Sequence, residues 1–202
     1  MKAPIKSFVP KSFPQGNITQ WFGENYQLYF THMKMNGHNG IDIVAPWRTP
    51  LYAVEGGLVV EVKNTPEGYG KHIRTLSNGN EWTYGHMNDI GVEIGDEVKE
   101  GEYIGTMGNT GFVVSGATPF WKYNPYAGTH LHLGLRKYKL SRNGFKYNDK
   151  APAITVYDYE NGFFGAIDFR DMLEKAEVET ETITSLQLTL ISLLNKLLGK
   201  LK

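Results

Sequence analysis

Thr129-His130-Leu131-His132-Leu133-Gly134-Leu135 alternates polar and apolar residues with a period of two, the pattern of a β-strand rather than a helix. Successive side chains on such a strand point to opposite faces, so His130 and His132 share one face while Leu131, Leu133 and Leu135 pack on the other. Two imidazoles side by side on rigid backbone suit a metal centre. An isolated H-x-H is equally the mark of one surface histidine beside one core histidine. The rest of the chain has to decide between the two.

Composition narrows the chemistry. A length of 202 residues predicts one ordinary domain, or one domain with a tail, with room for a real core. Lysine plus arginine equals aspartate plus glutamate at 21 each, so no charge excess points to nucleic acid or to an anionic membrane. Cysteine is absent, which removes disulfides, a thiol nucleophile and thiolate metal sites. A metal must therefore be held by the six histidines or by carboxylates. The 23 glycines and 12 tyrosines, with short Val/Ile/Tyr runs between turn residues, predict a mostly β domain, a compact antiparallel sheet or barrel-sandwich. No apolar run is long enough for a signal peptide or a membrane span.

Working outward, residues 1–17 read as an extended lead-in rich in Pro, Lys and Ser, 18–170 as the main domain, and 171–202 as a linker and amphipathic helix. Ile18–Gly23 is a short strand. Gly37-His38-Asn39-Gly40-Ile41-Asp42-Ile43 places glycines around His38 where the chain turns, and if His38 enters the following strand it shares a face with Asp42. Between 50 and 111 the pattern predicts strands at Leu51–Val54, Gly57–Val62, His72–Leu76, Glu81–His86, Val92–Ile94 and Tyr103–Met107. Ser77-Asn78-Gly79-Asn80 is a hairpin turn, and His86 falls at a strand terminus. Phe112–Gly128 has no period and reads as a long loop whose aromatics either line a groove or fold back over the domain. A polar turn at Ser141–Gly144 and a strand near Ala153–Tyr157 follow, and Gly162–Asp168 closes the domain. From Ile183 the leucines recur at helical spacing. That stripe suits docking on its own domain, self-association into a homo-oligomer, or contact with a membrane surface.

His38, Asp42 and His132 form a two-nitrogen, one-oxygen ligand set, with His86 and His130 left over. Three protein ligands with an open fourth position is the arrangement of a catalytic zinc, and two spare histidines suit proton transfer and oxyanion stabilisation. Gly37-His38-Asn39-Gly40-Ile41-Asp42, Tyr84-Gly85-His86-Met87 and His130-Leu131-His132-Leu133, in this order and with Gly95–Gly105 and Gly108-Asn109-Thr110-Gly111 between them, resemble the lysostaphin-type zinc endopeptidases that cut peptidoglycan peptides. The resemblance runs from about Ile18 to Asp168. It implies the duplicated hybrid motif fold, one Zn2+ per chain bound by His38, Asp42 and His132, and catalytic roles for His130 and His86, leaving open which of these is the general base. It also implies action in the extracellular or periplasmic wall space, with export or phage delivery undecided. Some relatives are non-catalytic activators of wall amidases; all five positions are filled here, which favours the enzyme. Phe112–Gly128 looks like an insertion near the groove, and Leu133-Gly134 replaces an aromatic and Glu, so substrate preference does not transfer.

Three further signals have bland readings. Met33-Lys34-Met35 copies the core of a biotin-carrier signature but runs straight into Asn36-Gly37-His38, so Lys34 is expected to be an exposed loop residue. His32 is either an oxyanion donor or an exposed loop histidine, and His72 is expected at the surface.

Overall fold

The computed structural model describes residues 1–115, 118–119, 125–173 and 190. Its elements, in chain order, are β1 (Ile18–Gln20), α1 (Tyr26–Met33), β2 (Ile41–Ile43), β3 (Pro50–Tyr52), β4 (Gly57–Asn64), β5 (Lys71–Ser77) and β6 (Asn80–Gly85). There follow β7 (Met87–Ile90), β8 (Glu97–Val98), β9 (Tyr103–Met107), β10 (Val114–Ser115), β11 (Thr118–Pro119), β12 (Leu131–Phe145) and β13 (Ile154–Val156). The main sheet runs β1-β2-β12-β6-β5-β4-β8, with β13 on the far half of β12; a second sheet runs β3-β9-β7, and β10 pairs with β11. Every pairing of these strands is antiparallel. The sheets do not close into a barrel, so the fold is the open-sheet form of the predicted β domain.

The two-residue period of β12 orders the sheet. Leu133 lies opposite Ile41 and Tyr84, and Leu135 opposite Trp82; all are fully buried, because directly paired residues share a face. Ile73 on β5 continues that layer beside Tyr84. Leu51, Met87, Ile104 and Met107 of the smaller sheet are buried as completely. The Tyr84 hydroxyl accepts a hydrogen bond from the Val54 N–H (2.9 Å), which ties the layer to the end of β3 and satisfies a phenol that burial would otherwise penalise. The opposite face of the main sheet carries His132, Gly134 and Arg136 in sequence along β12.

Several expectations change. The predicted hairpin forms, with Asn78 and Gly79 both at positive φ. Val92–Ile94 is not a strand; β7 lies just before it, at Met87–Ile90. Ser141–Gly144 is not a turn but part of the 15-residue β12, whose pairing with β13 is irregular between Leu140 and Phe145. That irregularity absorbs the polar residues the pattern reads as a chain reversal. Tyr26–Met33 is a helix with no buried residue, and so has no apolar stripe for periodicity to detect. Lys34 is exposed, as expected, but as that helix's C-cap in the left-handed region. His72 is buried, at 5 % exposure, against the expected surface placement; its Nδ1 donates to Gly70 O and its Nε2 faces Glu61 at 3.3 Å. The lead-in is held along the domain: Ile5 is fully buried, and Pro4 O accepts the Tyr52 N–H.

Lys2–Asp168 form one compact unit, and Met1 with Phe169–Lys202 a second. In the second, Leu173 N–H donates to Phe169 O. The helix expected from Ile183 lies outside the described residues except at position 190, as do positions 116–117 and 120–124 of the Phe112–Gly128 segment. Among the described residues no helix is long and apolar enough to cross a membrane.

Candidate metal centre

Asp42 on β2 is paired with His132 on β12 in the ladder, so the carboxylate and the imidazole lie side by side on the sheet face opposite the core. His38 arrives from a turn rather than from β2 itself. It is clamped there: His38 N–H donates to Glu24 O (2.9 Å) and His38 O accepts the Gly23 N–H (2.8 Å). Gly37 precedes it at φ 141, and a Cβ there would stand 2.3 Å from Gly23 O, so the close crossing of these strands of chain needs glycine. The result brings His38 Nε2 within 3.1 Å of Asp42 Oδ1 and 2.9 Å of His132 Nδ1, with His132 Nδ1 3.4 Å from Asp42 Oδ1.

Carbonyl groups set the remaining rings. The Nδ1 of His86 lies 2.7 Å from Thr110 O and that of His130 2.6 Å from Gly128 O. A carbonyl only accepts, so both Nδ1 atoms carry hydrogen and both Nε2 atoms are left for chemistry. His38 is oriented in the same way, with its Nδ1 3.3 Å from Trp21 O. His130 Nε2 is 3.6 Å from Asp42 Oδ1, and the His86 and His130 ring centres are 4.5 Å apart. All five sequence-predicted positions therefore converge. His86 adopts φ 58 and donates its N–H to Tyr69 O (2.7 Å), which turns its ring back from the end of β6 toward the cluster.

The electrostatics favour neutral imidazoles around an ionised carboxylate. Burial pushes His132 down to about 4, against the opposing pull of Asp42 and with the aid of His38 and His130. His86 is held well below the usual histidine range by burial, then by His130 and His132. For Asp42 burial alone would raise the carboxyl, but the neighbouring His38, His130 and His132 outweigh it and hold it well below the usual range.

This donor set fits a divalent cation. Asp42 Oδ1 is buried without a hydrogen bond, and a neutral His132 turned through Nδ1 toward the lone pair of His38 leaves three donors aimed at one point. Four ligands at about 2.0–2.1 Å around a tetrahedral ion are separated by roughly 3.3 Å, close to the 2.9–3.4 Å seen here. Nitrogen and carboxylate donors without thiolate suit such an ion.

The cluster opens into a cavity of about 790 Å3 lined by Tyr29, His32, Tyr69, Phe112 and the site histidines. Tyr29 and Tyr69 were not legible as site residues. Tyr29 stacks on His38 with ring centres 5.3 Å apart, and burial followed by the Asp42 charge raises its hydroxyl well above the usual phenol range. Tyr69 packs 4.9 Å from His132, and its hydroxyl accepts from Asn39 Nδ2 (2.7 Å). Their only sequence signal is proximity to turn glycines and the H-x-x-x-D stretch. His32 is exposed on α1 and its ring lies 5.8 Å from that of Phe112.

Comparison with known proteins places these residues in a family. Residues 36–146, more than half of the chain, match the model of peptidase family M23. Over 115 residues the chain is 30% identical to glycyl-glycine endopeptidase ALE-1 of Staphylococcus capitis, covering 53% of this chain and 32% of that protein. Over 100 residues it is 35% identical to peptidoglycan DD-endopeptidase ShyA of Vibrio cholerae, covering 48% of this chain and 20% of that one. The chain thus spans a third or less of the length of these relatives. The solved structure of LytU superposes with a TM-score of 0.53 at 26% identity, over 82% of this chain and 90% of LytU. The matched stretch contains His38, Asp42, His86, His130 and His132, and with it the whole cluster, so the chain belongs to peptidase family M23.

Proposed function

We propose that this domain is a zinc-dependent endopeptidase that hydrolyses amide bonds in the cross-link or bridge peptides of bacterial peptidoglycan, working in the wall space outside the cytoplasmic membrane. One observation carries the reading: three donor atoms of His38, Asp42 and His132 converge within 2.9–3.4 Å while two further Nε2 atoms stand free beside them at an open cavity. His38, Asp42 and His132 would hold the zinc, which when bound supplies Lewis acidity to the attacking water and the scissile carbonyl.

The remaining work falls to this chain's own groups. His130, with Nδ1–H fixed on Gly128 O, presents Nε2 as a base beside Asp42 and returns the proton to the leaving amine. His86, fixed on Thr110 O, presents the second Nε2 to the oxyanion or to the same proton. The geometry is near symmetric for the two rings, and either can be the base. The cavity wall of Tyr29, Tyr69 and Phe112 holds an extended peptide against them and limits water.

The names of the relatives carry two bond classes, glycyl-glycine and DD. Digestion of purified peptidoglycans with glycine bridges and with direct cross-links, with and without a chelator, followed by mass analysis of the fragments, tests the reading and assigns the bond. Release of cross-bridge peptides abolished by the chelator and restored by zinc is the expected result. A fully zinc-loaded protein that releases nothing from either would leave a non-catalytic wall module that activates an amidase.

A further inference from the structure

The face of the main sheet that carries His132 does not end at the metal cluster. Along β12, Gly134 and Arg136 follow His132 on the same face, so the line from His132 to Arg136 spans about 13 Å at roughly 3.3 Å per residue. Above Gly134 and Thr83 lies a small cavity of about 130 Å3 that shares Asn39, Tyr69 and Phe164 with the cavity of the metal cluster. Beyond it opens a cavity of about 920 Å3 that shares Tyr69, Arg74, Arg136 and Tyr159 with the small one. The three adjoin along the sheet, each sharing wall residues with the next.

The distal cavity has a distinctive chemistry. Its floor is a set of planar polar groups held rigid by one another. Arg74 Nε lies 2.8 Å from Glu61 and its Nη1 donates to Glu81 Oε1 at 2.8 Å. Arg136 Nε donates to the same Glu81 oxygen at 2.7 Å, and the Tyr147 hydroxyl donates to Glu81 Oε2 at 2.7 Å. Two guanidinium groups face the carboxylates of Glu61 and Glu81, and Lys63, paired with Glu61, lines the same cavity together with Glu67, so three basic groups balance three acidic ones, and an anion entering it would have to displace a partner. The walls are aromatic: Phe145 and Tyr159 are about half exposed, and Phe145 packs against Tyr147 with ring centres 5.1 Å apart. Preorganised planar donors and acceptors without net charge, flanked by exposed ring faces, match a neutral polyhydroxylated ring. Its hydroxyls would meet the guanidinium edges and the polar side chains of Thr65 and Asn143 that line the cavity, while its C–H face lies on an aromatic ring. The volume lies within the ~300–1,000 Å3 of small-ligand pockets.

We propose that the cavity over Arg74 and Arg136 is a saccharide subsite in this row of cavities, which takes an amino-sugar ring of the glycan strand while the attached peptide lies across the metal cluster. Tyr147 and Tyr159 stand outside the stretch matched to the family, 36–146, whereas Phe145 lies at its end, so this part of the cavity is built only in part from the matched stretch. The subsite rests on the reading of the substrate as peptidoglycan, and the two are tested apart.

The test is calorimetric titration of the zinc-loaded full chain with the β-1,4-linked N-acetylglucosamine tetramer, which has no peptide to occupy the metal cluster. Saturable binding is expected, weakened on the order of tenfold or more in Tyr159→Ala and again in Phe145→Ala, with zinc affinity retained in both variants as the measure of an intact fold. No saturable binding at sugar concentrations up to about 10 mM would overturn the subsite, as would binding indifferent to both substitutions. Cleavage of a glycan-free cross-bridge peptide without any sugar binding would sustain the peptidase and sink the subsite. Sugar binding lost in the variants, by a protein that cuts no peptide, would do the reverse.

Discussion

The Nε2 atom of His38 lies 2.9 Å from Nδ1 of His132, a ring contact made across 94 residues of sequence. Trp21 O fixes the hydrogen of His38 on Nδ1, so its Nε2 is a lone pair. His132, held neutral by burial, has one hydrogen to place. Put on Nδ1, it bonds His38 and leaves a buried Nε2 lone pair unmatched; put on Nε2, it leaves two lone pairs facing each other beside the Asp42 carboxylate. A cation resolves the second arrangement and satisfies Asp42 as well.

The first prediction separates ligand from proton carrier on the one strand. His132→Ala should lose zinc and activity together. His130→Ala should keep zinc at near wild-type stoichiometry while activity falls by a factor on the order of a hundred or more. Metal content after gel filtration and initial rates on a cross-bridge peptide read the two effects separately. Equal zinc loss in both variants would mean that His130 belongs to the ligand set.

The convergence of these side chains was partly legible in the sequence, and the reason is local. The H-x-H alternation and the H-x-x-x-D turn are short-range patterns whose backbone periods fix which side chains lie together, and Asn78-Gly79 encodes its own hairpin. What stayed hidden depends on partners far away in sequence. His72 reads as a surface residue until Glu61 is brought beside it by the β4–β5 ladder. Tyr69 and Tyr29 gain meaning only when His132 and His38 arrive against their rings. Helix α1 buries no residue and so leaves no periodic trace. The polar run within β12 mimics a turn because the register of its pairing with β13 jumps from Leu140 to Phe145 and leaves Ser141–Gly144 without partners in the ladder.

Zinc removal should soften the fold as well as stop the reaction. In the apo protein Asp42 and the rings of His38 and His132 are buried without the cation that matches them, whereas the unfolded chain offers no preformed site. Zinc at about a thousandfold excess over its dissociation constant contributes about 4 kcal/mol, or a rise in melting temperature of roughly 10 °C for a domain of this size. Scanning calorimetry of chelated and zinc-reconstituted protein measures it. Identical melting curves would remove the cluster as a metal site.

Acid should weaken the domain through Glu61. Burial by itself would raise this carboxyl, but the His72 hydrogen bond and the charges of Arg74 and Lys63 outweigh it and hold it at about 2, below the 4.5 of a free glutamate. The unfolded chain therefore takes up the proton first as pH falls. The stabilisation from this group is whole above about 4.5 and is lost as the pH descends to about 2; it is on the order of 2–3 kcal/mol. Asp42 is depressed too, so the comparison must be with Glu61→Gln, in which Asp42 still titrates. Denaturant midpoints across that window should fall more steeply for the wild type than for the variant, which starts lower because Arg74 has lost a partner. Parallel slopes would show that Glu61 has no such role.

Gly40 tests how tightly the ligand strand is held. A Cβ at this position would stand 2.5 Å from Leu133 O, 2.7 Å from His132 Cε1 and 2.8 Å from His132 Nε2. Leu133 is paired on both sides, with Ile41 and with Tyr84, so its carbonyl cannot yield cheaply. The His132 ring must move instead, and with it the Nδ1 that faces His38 and Asp42. At Gly134 the same atom, His132 Nε2, would be met at 3.3 Å and Asn39 O at 3.4 Å, a crowding that a shift of a few tenths of an ångström relieves. Gly40→Ala should therefore weaken zinc binding by tenfold or more, about 1.4 kcal/mol, and Gly134→Ala by clearly less, while circular dichroism shows both folded. Competition against a chromogenic chelator ranks the two. Wild-type zinc affinity in Gly40→Ala would mean that the position of His132 is not what sets the metal's hold.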